Sequence, residues 1–327
     1  MIRVLIVGLG SIGQRHANAL LQLGVTNIAA LRSMKGTLPL SPALENKLAV
    51  FCNEDEAFNW NPTHLIISNP TSLHLHFIRR AIKNDIKFFV EKPIDHSYVN
   101  VFEETKSFNK VNGSVGYVLR FHGIYQFLKK IIDSEYYGRV LASHLHVGQY
   151  LPNWHAYEDY RNAYYAKKSL GGGAIRTLSH EIDMVQFLFG TFLTVYSRIE
   201  RVSNLEIDVD DFTTIIAKTE KCNVVTININ FLDPTIVRKG IIYFDKGVIE
   251  YDWIAGKIYF LDNQATGKLL VYTTQEEYNL QFFIQMQHFI QEEDSGVACS
   301  FRSGLEVLRI IEACEKSNVE RKEICLA

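Results

Sequence analysis

Met1-Ile2-Arg3-Val4-Leu5-Ile6-Val7-Gly8-Leu9-Gly10-Ser11-Ile12-Gly13-Gln14 is the stretch whose reading decides the fold. Val4 to Val7 is an unbroken apolar run, short enough for a strand buried on both faces. It leads straight into Gly8-x-Gly10-x-x-Gly13. Beyond the glycines, Ile12, His16, Leu20 and Leu23 recur at helical spacing, and Gly24 ends the helix. A strand, a glycine turn and a helix in that order form the context in which this pattern binds a dinucleotide. Gly8 permits the tight turn, Gly10 lets a diphosphate approach the backbone, and Gly13 lets helix and strand pack closely. The helix N-terminus, at Ser11 and Ile12, offers free N–H groups and a partial positive charge to the phosphates. The bland alternative is a glycine turn that only connects two elements.

The 327 residues suit two domains, and 47% apolar residues allow a substantial core. A net charge of −2 argues against a nucleic-acid protein driven by bulk charge. The cysteines Cys52, Cys222, Cys299, Cys314 and Cys325 are scattered without a Cys-x-x-Cys, which fits a reducing compartment and gives no metal framework. The apolar start is too short for a secretion signal, and no later run reaches membrane-spanning length. The expectation is a cytoplasmic soluble protein with no metal, no nucleic-acid partner and no membrane contact.

A second strand is expected over Asn27 to Leu31. An NAD-selecting site usually carries an acid at the end of that strand. Here Arg32 and Ser33 stand in its place. Arg can clamp a 2′-phosphate, so NADP is the expected cofactor. The alternative is that Arg32 stacks on adenine or is solvated and the protein takes NAD as well. Residues 36 to 62 read as a loop and a modest helix. Leu65 to Ser68 is a buried strand ending in Asn69-Pro70-Thr71-Ser72-Leu73-His74. In an open parallel sheet such strand ends line the ligand crevice, so Asn69, Pro70, Thr71 and His74 are cofactor candidates. Lys87 to Val90 is the next strand, ending in Glu91-Lys92-Pro93. The pair could be a surface ion pair; functionally, a lysine there points to the reactive end of the crevice. Partly desolvated beside a cationic ring, its pKa falls toward the range of a general acid or base. A helix opens at Ser97, a strand follows over Ser114 to Leu119, and the β-α alternation then stops.

With these stretches in view, the chain resembles the Gfo/Idh/MocA family, that of glucose–fructose oxidoreductase and inositol dehydrogenase. The glycine turn, Glu91-Lys92-Pro93, the loop from Asn69 to His74, Gly116 with Arg120-Phe121, Gly171-Gly172-Gly173 with His180 and Asp183, and Ser300 to Leu308 carry the resemblance over essentially the whole chain. It implies a Rossmann, doubly wound parallel sheet (residues 1–119) and a mostly antiparallel, open-faced sheet with helices on one face (residues 120–299). The helix over 300–327 is expected to pack back on the first domain. The resemblance also implies a nicotinamide cofactor contacted by Glu91, Lys92, Pro93 and Arg120, a commonly cis Lys-Pro bond, and Lys92 as the residue handling the substrate proton. His180 corresponds to the family's second-domain histidine. An aspartate often stands one helical turn before that histidine; here Arg176 or Thr177 takes its place, and Thr177 is left to supply a hydrogen bond.

Between the domains' signatures, Arg139 to Tyr150 reads as a strand with His144 and His146 on one face. The following segment, with Tyr150, Trp154, Tyr157, Arg161 and Lys167, is too polar for a core strand and too aromatic for a linker. Rings stack on sugars and Arg binds anions. Tyr150, Trp154, Tyr157, Arg161 and Arg176 are therefore expected to bind substrate with Lys92 and His180. The alternative is a packed surface loop. The segment looks like that of family members associated with bacterial surface-sugar biosynthesis, pointing to a nucleotide sugar or sugar acid. Alternating runs from Thr194 to Thr273 then read as an antiparallel sheet whose bare face calls for a homodimer or homotetramer, and a helix is expected over Tyr278 to Glu292. The functional expectation is an NAD(P)-dependent dehydrogenase or reductase acting on a CH–OH group of a sugar-like substrate. Its rivals are a non-catalytic dinucleotide sensor of the same fold and an enzyme that retains its cofactor and cycles it between two sugars.

Overall fold

The computed structural model describes residues 1–33, 38–108, 111–154, 159–264, 267–277, 279–291 and 296–326. Two compact units divide the chain: Met1–Phe121 with Glu277–Leu308, and His122–Glu276 with Arg309–Ala327.

The first unit opens with β1 (Val4–Val7), α1 (Ser11–Gln22) and β2 (Ile28–Leu31). There follow β3 (Ala49–Phe51), α2 (Glu54–Asn59), β4 (His64–Ile67), α3 (His74–Lys83), β5 (Lys87–Val90), α4 (Tyr98–Thr105) and β6 (Gly113–Val115). The strands form one parallel sheet in the order β3-β2-β1-β4-β5-β6. The order reverses between β1 and β4, where such sheets bind their ligands. β1, β2 and β4 are buried throughout, as strands covered on both faces must be. Ser97 caps α4 by accepting from the Asn100 N–H. The expected strand over Ser114 to Leu119 is shorter than its apolar run. After Val115 the Tyr117 and Val118 amides bond two residues back, and the chain coils into a 3₁₀ turn over Val118–Phe121.

The second unit contains α5 (Gly123–Asp133), β7 (Val140–Gly148), α6 (Ala174–Thr177), α7 (His180–Phe189), β8 (Phe192–Glu200), β9 (Phe212–Thr219), β10 (Val224–Asn230), β11 (Val237–Phe244), β12 (Gly247–Asp252), β13 (Lys257–Asp262) and β14 (Lys268–Thr273). With β15 (Ile324–Cys325), nine strands among the described residues form a sheet ordered β14-β13-β12-β11-β7-β10-β9-β8-β15. All its pairings are antiparallel except β7 with β10. Leu145, Val147, Ile215, Ile227, Ile229 and Ile249 point to the buried face. His144, Thr226 and Ile216, adjacent in register, lie on the other face.

The C-terminal third departs from the expected division. α8 (Leu280–Gln291) belongs to the first unit: Met286 and Phe289 enter the core formed by Val4, Ile6, Leu20 and Phe89. α9 (Phe301–Glu320) belongs to the first unit only as far as Leu308. From Arg309 onward it serves the second, so the expected return of residues 300–327 to the first domain holds only for the start of the helix. The reason is a polar seam with β8. The Ser197 N–H donates to Ser317 Oγ (3.1 Å), the Ser197 hydroxyl to the Cys314 carbonyl (2.6 Å), and the Ser317 hydroxyl to the Lys322 carbonyl (2.7 Å). β15 then pairs with the edge of β8. Ser317→Ala is expected to strand the buried Ser197 N–H and lower unfolding free energy by about 1–3 kcal/mol, read as a lower urea midpoint at unchanged slope.

Candidate functional site

β1 delivers the chain into a turn made by close backbone approach. At Gly8, φ is +91°, and a Cβ there would fall 2.9 Å from Asn69 backbone atoms. A Cβ on Gly13 would lie 2.1 Å from the Gly8 carbonyl oxygen. The Ser68 hydroxyl donates to that same oxygen at 2.9 Å. Gly10, by contrast, faces open space. A cavity of about 700 Å³ opens at this turn. Of the expected cofactor residues, Gly8, Gly10, Arg32, Ser33, Asn69 and Pro70 line it. Gly13 lies beneath the turn, Ser11 and Ile12 form the first turn of α1, and Thr71 begins a short 3₁₀ turn after Pro70. Asn69 Oδ1 is buried and has no hydrogen-bond partner among the described residues. A buried acceptor with no donor, beside an open glycine cradle at a helix N-terminus, fits a dinucleotide carrying hydroxyl and amide donors.

Cys52 and Glu54 also line the cavity and escaped the sequence reading. They follow β3, whose three residues carry no alternation to read. Glu54 is neutralised from outside: its carboxylate pairs with Arg80 Nη1 at 2.5 Å and His76 Nε2 at 2.8 Å. Arg32 donates to the Leu38 carbonyl at 3.2 Å.

His74 is 1% exposed and therefore lies beneath the crevice rather than on its wall. Its Nδ1 is 3.0 Å from the Pro93 carbonyl and its Nε2 is 2.9 Å from the Asn69 carbonyl. It ties the loop after β4 to the loop after β5. Burial pushes its pKa below the ordinary histidine value, against the pull of these carbonyls.

The loop after β5 is Glu91-Lys92-Pro93. The Lys92–Pro93 bond is cis. The Glu91 N–H donates to the Ile67 carbonyl. The Glu91 carboxylate meets His16 Nε2 at 2.7 Å and accepts from the Lys92 N–H at 3.3 Å. Arg120 is 4% exposed within the 3₁₀ turn over Val118–Phe121.

Lys92 belongs to the first unit; Thr177 and His180 belong to the second. There Gly173 has φ +113°, and a Cβ on it would fall 2.1 Å from Asp210 Oδ1. Asp210 Oδ2 accepts from the Ile175 N–H (3.1 Å) and the Thr213 hydroxyl (3.2 Å), fixing the first turn of α6. Burial pushes the Asp210 carboxyl up to about 6. Thr177 is buried at the end of α6, and His180, half-buried, opens α7. The sequence reading set both on one helix face. In fact Leu178, with φ −99° and ψ 32°, breaks the helix between them.

Of the expected substrate contacts, Arg176, Arg161 and Trp154 find partners within the second unit. The Arg176 guanidinium forks onto Glu315 of α9 at 2.7 and 2.8 Å, so a half-buried cation has its counter-ion within the unit. Arg161 forks onto Asp159, with Nη2 2.8 Å from Oδ2, and reaches Glu206 at 3.4 Å. The Trp154 ring packs against Tyr165 at 5.1 Å and Phe231 at 5.7 Å. Tyr150 is 37% exposed. Tyr157 lies outside the described residues. His144 and His146 face Thr226 Oγ1 (2.5 Å) and Asp233 (2.7 Å). Among the described residues no group of three or more His, Cys, Asp or Glu could hold a metal, and no helix is long and apolar enough to cross a membrane.

Comparison with known proteins agrees with this geometry. Residues 2–116 match the oxidoreductase family with an NAD-binding Rossmann fold, and residues 125–250 match the Gfo/Idh/MocA C-terminal domain. The first unit is thus that of an oxidoreductase family with an NAD-binding Rossmann fold. The chain belongs to the Gfo/Idh/MocA family. The 2,7-anhydro-N-acetylneuraminate hydratase of Mediterraneibacter gnavus is 30% identical over 131 residues, 38% of this chain and 33% of that protein. An oxidoreductase of Formosa agariphila is 26% identical over 160 residues, 45% of this chain and 50% of its own length. The matches therefore span a third to a half of these curated relatives. An NAD-binding oxidoreductase of Klebsiella pneumoniae shares the fold over 100% of this chain and 99% of its own (TM-score 0.85, 16% identity). So does a myo-inositol dehydrogenase of Corynebacterium glutamicum, with the same coverage (TM-score 0.79, 18% identity). Levoglucosan dehydrogenase in complex with NADH is similar to the same extent (TM-score 0.83, 18% identity, 100% and 99% coverage).

The Asp210 carboxyl has a folded pKa raised from 3.8, so its contribution to stability is complete below pH 3.8 and is lost as pH rises through about 6. Asp210→Asn keeps an acceptor without the charge. The variant is expected to gain up to about 3 kcal/mol relative to the native protein between acid and neutral pH, measured by urea unfolding at fixed pH values.

Proposed function

We propose that the protein transfers a hydride between a nicotinamide dinucleotide and a secondary alcohol or ketone of a sugar-like substrate, with Lys92 as general acid/base and His180 assisting. One observation carries the reading. Lys92 stands in a turn at the carboxyl end of β5, and His74 ties that turn to Asn69, a wall of the cofactor cavity. The nicotinamide, when bound, supplies the hydride chemistry. The chain's part is to bind, orient and move a proton. Gly8, Gly10 and Asn69 receive the dinucleotide. Lys92 takes the hydroxyl proton as an alcohol is oxidised, or returns it to the carbonyl oxygen in the reverse direction. His180 holds that same oxygen, and Thr177 contributes at most a hydrogen bond. A general acid/base contributes about 100- to 10,000-fold. Lys92→Ala is expected to lose turnover on that scale while still binding NADH; full turnover in a folded, cofactor-binding variant would remove Lys92 from the mechanism.

The adenosine end supports NADP over NAD. Arg32 and Ser33 line the cavity where an acid would select NAD, and the carboxylate that is present, Glu54, is already neutralised by Arg80. Arg32→Ala is expected to weaken NADPH about 10- to 100-fold, the worth of a charge-assisted bond, and to leave NADH nearly unchanged. Fluorescence titration with both nucleotides decides it: equal losses leave Arg32 without a role in selection.

For the substrate we favour a sugar acid or nucleotide sugar. A relative named for an anhydro-neuraminate, itself a sugar acid, supports the first. That relative is a hydratase, and hydration is not a net redox reaction. This favours one second reading: a cofactor that stays bound and is regenerated within each turnover. Nucleotide released from freshly denatured protein, with product formed and no net change at 340 nm, would establish the second reading. We assign the bare face of the larger sheet to a contact between copies of the chain.

A further inference from the structure

His16 stands on α1, three residues beyond Gly13, and is fully buried. Its ring meets the Phe89 ring edge-on at 5.0 Å and the Phe282 ring at 6.1 Å. Nε2 lies 2.7 Å from Glu91 Oε1. Nδ1 is buried and has no hydrogen-bond partner among the described residues. These facts fix the proton. An ionised carboxylate only accepts, so Nε2 carries the hydrogen. A second proton on Nδ1 would be a buried donor with no acceptor beside two aromatic rings, a costly arrangement. The ring's proton is therefore on Nε2.

The other oxygen of the carboxylate is equally committed. Glu91 Oε2 accepts from the Lys92 N–H at 3.3 Å. Gly116 closes the far side: a Cβ there would fall 2.7 Å from Oε2. One oxygen thus faces a helix that begins at the glycine turn, and the other faces the backbone of the lysine. Rotation of the carboxylate away from Lys92 would break the His16 bond and leave a partly buried charge short of a donor.

We propose that His16 is a positioning residue for Lys92: as an Nε2–H donor it holds the Glu91 carboxylate against the Lys92 amide and so fixes the turn that carries the lysine. The inference rests on the role of Lys92 given above, but its test does not use turnover. The full-length protein is labelled with ¹⁵N-histidine and ¹³Cε-lysine, and loss of a resonance in Lys92→Arg assigns Lys92. In the native protein, His16 is expected to show a protonated Nε2 and a bare Nδ1. His16→Leu fills the space without a donor and is expected to move the Lys92 titration midpoint by at least about half a unit. His16→Gln, whose amide can donate to Glu91, is expected to restore it. A protonated Nδ1 in the native protein overturns the proposal, and that measurement stands even if the leucine variant fails to fold. A Lys92 midpoint unmoved by His16→Leu, or moved equally by leucine and glutamine, also overturns it. Failure of the Lys92 reading would show separately, as full turnover in Lys92→Ala while the lysine titration still followed His16.

Discussion

The close contact between the Gly13 α-carbon and the Gly8 carbonyl is the constraint on which the first unit depends. No side chain fits there, and the Ser68 hydroxyl closes on the same oxygen. The contact draws α1 against the ends of β1 and β4, where the sheet order reverses. It therefore fixes the cavity, and it sets the register of α1 so that His16, one helical turn further on, reaches Glu91. A single backbone approach thus shapes both the glycine cradle at the cavity and the placement of the turn that bears Lys92.

What could be read from the sequence followed period and punctuation. The buried strands β1, β4 and β5 are apolar runs ending in turn residues, and the strands of the larger sheet alternate with hairpin signals between them. Both kinds of signal are local. β3 was missed because three residues, two of them exposed, give no pattern. With it went Cys52 and Glu54, which enter the cavity only because β3 delivers them. The division of α9 was equally illegible. Its twenty residues form one continuous helix, and its change of allegiance at Arg309 rests on Cys314 and Ser317 meeting Ser197, more than a hundred positions earlier in the chain.

The candidate site shows the same limit in its charges. Sequence identifies Arg161, Arg176 and His74 as residues able to hold an anion or face a ligand, but it does not reveal their partners. Arg176 meets Glu315 across 139 positions, and His74 joins two loop carbonyls. A buried polar group must find a partner as the chain folds, and an internal one is available before any ligand arrives. The cavity wall does keep one polar atom unmet among the described residues, Asn69 Oδ1.

The triplet Gly171-Gly172-Gly173 illustrates how a signature can be recognised long before its cause. The acid that makes Gly173 necessary is Asp210, whose Oδ1 occupies the space where a Cβ would stand. Its other oxygen is taken by the Ile175 N–H and the Thr213 hydroxyl, so it anchors the first turn of α6 to the start of β9. Burial pushes its carboxyl up to about 6. A larger residue at 173 would push the carboxyl off both donors and release the segment leading to Thr177 and His180. The glycine is therefore required by an aspartate 37 positions away, and its meaning lies in that contact rather than in the flexibility of the triplet.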